Sequence, residues 1–87
     1  MKLSVIVPAF NEAATIEQAL ERVLAMQVVG EVVVVDDGSR DGTGEMLARR
    51  EGPGLVVLRH PANRGKGAAV RTGLAAATGE VMLIQDA

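Results

Sequence analysis

Apolar and polar positions follow two rhythms along this chain. Residues 3–7 (Leu-Ser-Val-Ile-Val), 32–35 (four consecutive valines), 55–58 (Leu-Val-Val-Leu) and 81–84 (Val-Met-Leu-Ile) are short apolar runs bounded by Gly, Pro, Asn or Asp. Runs of that length and composition predict strands, and the unbroken valine run predicts one buried on both faces. Pro8 closes the first strand, where its missing N–H is tolerated. Between the first two runs, Ala13, Ile16, Leu20, Val23 and Leu24 recur at helical spacing. They predict an amphipathic helix over 12–26, with Asn11 as N-cap and Glu17, Glu21 and Arg22 on its exposed face. A second helix is expected from an Asp41 cap to about Arg50, where Gly52-Pro53-Gly54 stops it. A third spans about 68–77, where Ala68, Ala69 and Gly73 permit close packing, and Gly79 ends it.

Four strands alternating with three helices predict right-handed crossovers and a parallel sheet. The expected architecture is a three-layer, Rossmann-like α/β fold of strand order 3-2-1-4, with helices on both faces. That order places a switch point between the first and fourth strands, where open α/β sheets bind ligands beyond the carboxyl ends of their strands. The unusual residue clusters all fall at that edge.

Composition narrows the picture. At 87 residues the chain, 1–87, is one domain at most, burying roughly 60–65% of its unfolded surface. Phe10 is the only aromatic residue, so the core is built from Val, Leu, Ile, Ala and Met. Nine basic residues against eleven acidic ones leave no electrostatic footprint for nucleic acid. The absence of cysteine excludes disulfides, thiolate metal sites and a Cys nucleophile. The first segment makes a poor signal peptide, and no apolar run reaches membrane-spanning length. A soluble chain on the cytoplasmic side is expected, associated with a membrane only through a longer parent polypeptide.

Asp36 and Asp37 end the valine strand. One could cap the following turn while the other is solvated, or they could accept hydrogen bonds from a base N–H or ribose hydroxyls. Gly38 lets the backbone turn without a Cβ. Asp41, with Thr43, is expected to cap a helix and touch no ligand. Glu12 favours the helix dipole whatever else it does. Gly65-Lys66-Gly67 matches neither a P-loop nor a dinucleotide fingerprint, yet a helix N-terminus beside Lys66 or Arg64 suits a diphosphate. His60 reads as a surface or loop-stabilising imidazole, and Arg71, Arg49 and Arg50 as solvated. Asp86, closing the last strand at the switch point, is placed for a hard cation bridging phosphates.

Four segments occur in order at the element ends: Val7-Pro8-Ala9-Phe10-Asn11-Glu12, Val34-Val35-Asp36-Asp37-Gly38-Ser39-x-Asp41-Gly42-Thr43, Asn63-x-Gly65-Lys66-Gly67-Ala68-Ala69 and Gln85-Asp86-Ala87. Together they resemble the amino-terminal half of family-2 glycosyltransferases, most of all the dolichyl-phosphate mannose synthase and polyprenyl-phosphate glycosyltransferase branch. The resemblance implies the nucleotide-binding half of a GT-A fold and a GDP- or UDP-hexose donor. It places Pro8, Phe10, Glu12, Val35 and Asp37 against the nucleotide, with Asp36 as a neighbour. Asp86 and Ala87 match the start of an Asp-x-Asp that carries Mg²⁺ or Mn²⁺ on the diphosphate. The implied acceptor is a polyprenyl phosphate at a membrane or a saccharide.

The sequence ends before the second Asp of that motif and lacks the acceptor-binding half. The expectation is therefore a fragment, inactive alone, that contains no general base. Two alternatives stand beside it. One is a standalone nucleotide-binding module that self-associates through the open edge of the fourth strand. The other, a redox half-domain, is disfavoured because no Gly-x-Gly-x-x-Gly follows the first strand.

Overall fold

The computed structural model describes residues 2–27 and 29–87; Met1 and Val28 lie outside the described residues. Its elements are β1 (Leu3–Ala9), α1 (Ile16–Leu24), β2 (Val29–Asp37), α2 (Thr43–Arg50), β3 (Leu55–His60), α3 (Lys66–Ala76) and β4 (Val81–Ile84). The strands form one parallel sheet of order β3-β2-β1-β4, the arrangement expected from the sequence.

Strand alternation divides the core in two. Val5, Val7 and Ala9 of β1 and Val32 and Val34 of β2 face one way, meeting Ile16, Leu20 and Val23 of α1 and Leu47 of α2. Ile6, Val33 and Val35 face the other way, under Ala69 of α3. Helices thus cover both faces. The close fit of α3 depends on Gly73, where an added Cβ would collide with Ile6 Cγ2. β4 is an edge strand among the described residues, and Val81, Met82, Leu83 and Ile84 are each about 40% exposed. No described helix is long and apolar enough to cross a membrane.

Two sequence expectations are corrected. Strands β1, β2 and β3 run past their apolar stretches, because Asp36 and Asp37 continue the ladder opposite Arg59 and His60. The first helix starts at Ile16, not residue 12, and Asn11 is not its cap. Asn11 takes a left-handed φ of 52° instead. Its carboxamide accepts the Arg40 N–H, so it serves a different loop. The Thr15 and Ile16 amides both donate to the Glu12 carbonyl, making a turn that delays the helix.

Candidate functional site

The carboxyl ends of β1, β2 and β4 and the start of α3 surround a cleft of ≈ 340 Å³. Its walls are Pro8, Ala9, Phe10 and Glu12 after β1, Asp37 at the end of β2, Asn63, Lys66 and Ala69 from the β3–α3 region, and Asp86 and Ala87 after β4. Seven of the nine residues expected to bind the nucleotide therefore meet in one place: Pro8, Phe10, Glu12, Asp37, Lys66, Asp86 and Ala87. Phe10 is 42% exposed. An aromatic ring left open at a cleft offers a base a face to stack on.

The side chains of Val35 and Asp36 are not brought to the cleft. Val35 is fully buried in the core beneath α3. Consecutive strand residues point to opposite faces, so Asp36 is turned away from its neighbour, to the side of α1 and α2. There it is fully buried. Its Oδ1 accepts the Ser39 N–H at 3.0 Å, and Arg59 Nε lies 3.5 Å from Oδ2. That Oδ2 has no hydrogen-bond partner and relies on the guanidinium charge. The capping role weighed for one of the two aspartates falls to Asp36.

Asp37 faces the cleft side and is also nearly buried, 3% exposed. Its Oδ1 accepts from His60 Nδ1 at 2.7 Å and from the Arg64 amide at 2.9 Å; its Oδ2 accepts from the Gly65 amide at 2.9 Å. Burial alone would push its carboxyl up. Donation from His60 and from the Arg64 and Gly65 amides outweighs that and holds it below the ordinary aspartate range. His60 is itself buried, with Nε2 2.8 Å from Thr72 Oγ1 on α3. Of its two expected readings, the surface one is excluded. The signal available in the sequence was its position at the end of β3, in register with Asp37.

The remaining motif residues strap the two loops together. Asn11 N–H donates to Ser39 Oγ at 2.9 Å, Glu12 N–H to Thr43 Oγ1 at 3.0 Å, and Ala13 N–H to Asp41 Oδ2 at 3.1 Å. Asp41 also accepts the Thr43 N–H at 3.1 Å, while Gly42 occupies the cap position of α2. Hydrogen bonding to Thr43, joined by the Ala13 and Thr43 amides, holds the Asp41 carboxyl below its usual range against the opposing effect of burial. Ser39, Asp41 and Thr43 thus fix the backbone that presents Phe10 and Glu12. Gly38 closes the arrangement: its φ is 76°, and a Cβ there would lie 2.5 Å from Ala62 C and Asn63 N.

Across the cleft, Lys66 is ion-paired with Asp86, both side chains being largely exposed. Among the described residues there is no group of three or more His, Cys, Asp or Glu side chains that could hold a metal. The donor set still fits a cation bound chiefly by a ligand. Mg²⁺ commonly takes one or two carboxylates and leaves its other positions to substrate phosphates and water. Asp86 can supply that carboxylate once Lys66 releases it.

A parallel 3-2-1-4 sheet with a cleft at its switch point is the arrangement in which open α/β sheets bind ligands. Comparison with known proteins makes this specific. The glycosyl transferase family 2 model matches residues 4–87, and the chain belongs to that family. A dolichyl-phosphate beta-glucosyltransferase of Trichomonas vaginalis is 35% identical over 96 residues, covering 98% of this chain and 30% of the relative. A mannosyltransferase of Pyrobaculum calidifontis, solved with GDP-Man and Mn²⁺, superposes with a TM-score of 0.88 at 38% identity, over 98% of this chain and 27% of that one. Glucosyl-3-phosphoglycerate synthase of Mycobacterium tuberculosis, solved with Mn²⁺, UDP and glucosyl-3-phosphoglycerate, gives 0.78 at 33% identity, over 98% and 33%. The chain therefore spans about 30% of the length of the relatives it matches, and its fold is that of GT-A glycosyltransferases.

Proposed function

We propose that this chain is the donor-binding part of an inverting glycosyltransferase that moves a hexose from a GDP- or UDP-sugar to a polyprenyl phosphate or a saccharide. The observation that carries the reading is the convergence on one cleft of Phe10, Glu12, Asp37, Lys66 and Asp86 from four separate segments of the sequence. A lipid-phosphate acceptor is supported by the dolichyl-phosphate relative. A nucleoside diphosphate with a divalent cation is supported by the two solved neighbours.

Each residue has a task within this reading. Phe10 stacks on the base, Glu12 and Asp37 each accept a hydrogen bond from the base or ribose, and Lys66 meets the diphosphate near the N-terminus of α3. Asp86 holds Mg²⁺ or Mn²⁺, which when bound neutralises charge developing on the departing diphosphate. The carboxylates of the cleft are thereby committed to donor and cation. None is left to deprotonate an acceptor hydroxyl, and the chain alone is expected to bind donor without transferring sugar.

A second reading, a nucleotide-binding module that works by association, is favoured by the open apolar edge of β4. The test is calorimetric titration of GDP-sugar, UDP-sugar and NAD with and without Mn²⁺. The donor reading requires millimolar or tighter binding of at least one nucleotide sugar, strengthened by Mn²⁺ and weakened by Asp86→Asn. If neither sugar nucleotide binds, or if NAD binds better than both, the assignment fails.

A further inference from the structure

We propose that His60 is a positioning residue for ligand recognition: it holds Asp37 so that a single acceptor site, on Oδ2, remains for one N–H or O–H of the bound nucleotide. This rests on the nucleotide-sugar reading above. An ionised carboxylate has about four lone-pair sites and donates nothing. On Asp37, the His60 ring and the Arg64 amide occupy Oδ1, and the Gly65 amide occupies one side of Oδ2. One site is left, and Asp37 lines the cleft. The remaining geometry suits a single donor group and not a two-pronged grip on adjacent N–H groups.

His60 is built to set that geometry. β2 and β3 pair Asp37 directly with His60, which puts both side chains on the same face. Because the carboxylate only accepts, the imidazole proton sits on Nδ1. Nε2 is anchored to Thr72 Oγ1 at 2.8 Å, so α3 fixes the other end of the ring. With both nitrogens engaged and only 5% of the residue exposed, the imidazole has one orientation, and through it so has the carboxylate. Without the ring, Oδ1 would carry a single bond and the carboxylate could turn, offering the ligand a different and less ordered pair of acceptors.

The test uses the 87-residue chain. Long-range ¹⁵N–¹H NMR of the imidazole reports the tautomer, and UDP and GDP are titrated with Mn²⁺ into wild type, His60→Asn and His60→Leu. Asparagine places an amide N–H near the position of Nδ1, leucine none. The expected result is an Nδ1–H tautomer, affinity within about threefold of wild type for His60→Asn, and a loss of about tenfold or more for His60→Leu. The proposal is overturned by an Nε2–H tautomer, by wild-type affinity in His60→Leu, or by equal losses in both variants, which would mark a packing effect. If wild type binds neither nucleotide, the donor reading falls with the ligand half of the proposal. The positioning half is then decided by the Arg64 and Gly65 amide shifts, preserved in His60→Asn and lost in His60→Leu, or overturned if the two variants agree.

Discussion

Replacing Asp37 by asparagine removes one charge and almost no volume, at a point where three N–H donors converge. The amide has one acceptor oxygen. Placed at the Oδ1 position it keeps His60 and Arg64, but its NH₂ then points at the Gly65 N–H. Two retained bonds fall from charge-assisted to neutral strength, at about 1 kcal/mol each, and the buried donor facing a donor costs about 1–3 kcal/mol more. An amide is easier to desolvate than a carboxylate, which offsets part of this, leaving a net loss of about 2–4 kcal/mol. A domain of this size has about 4–13 kcal/mol in total. Urea unfolding followed by far-UV circular dichroism is the suitable assay, since the chain has no Trp or Tyr to report by fluorescence. The pH dependence supplies a second, independent reading. Asp37 has its carboxyl lowered in the fold, so the unfolded chain binds more protons in the interval between the folded value and the unfolded value of about 3.9. Its stabilisation is complete above that interval and is lost as pH falls through the folded value. Glu31, lowered by the Ser4 hydroxyl and the Thr78 amide, and Asp41 behave in the same direction. Acid loss common to both proteins belongs to those groups; the excess in wild type belongs to Asp37. A change under about 0.5 kcal/mol in Asp37→Asn, or identical acid profiles for the two proteins, would refute the reasoning.

Two further changes probe other parts of the frame. Gly38→Ala forces a left-handed φ on a residue with a Cβ and drives that Cβ into the backbone at Ala62 and Asn63; it should lower stability by about 2 kcal/mol or more, read by the same urea titration, and a neutral outcome contradicts the packing described. Leu83→Lys places a charge on the open β4 edge, where Leu83 is 42% exposed; if wild type self-associates through this strand, sedimentation velocity should show the variant shifted toward monomer, and equal association in both rules this edge out.

Much of this was legible in the sequence. Short apolar runs separated by helical periodicity gave the alternating strands and helices, and 3-2-1-4 followed as the natural doubly wound order. The cleft was legible too, since Pro8, Asp37 and Asp86 all sit at strand ends on one edge. What could not be read was how local polar residues would spend their hydrogen bonds. Asn11 is a good cap in isolation, but a bond to Arg40 some thirty positions away competes for its side chain, and the long-range partner wins. Nor does composition distinguish Asp36 from Asp37. They differ only in which face of β2 they occupy, and therefore in whether they meet Ser39 and Arg59 or His60 and the Gly65 loop.

That last feature bears on how β2 finds its place. Sliding β2 by one step leaves a valine in three of the four valine places and an aspartate in one of the two aspartate places. The valines by themselves therefore carry little mark of alignment, and the penalty for a slip falls where they stop, as a carboxylate enters the fully buried Val35 place or a valine takes that of Asp36. Alignment must be read at the two ends. At one, Glu31 fits the Ser4 hydroxyl at 2.5 Å and the Thr78 amide at 2.6 Å. At the other, Gly38 alone can pass beneath Ala62 and Asn63. Residues that touch no ligand thus decide which of two identical acids reaches the cleft.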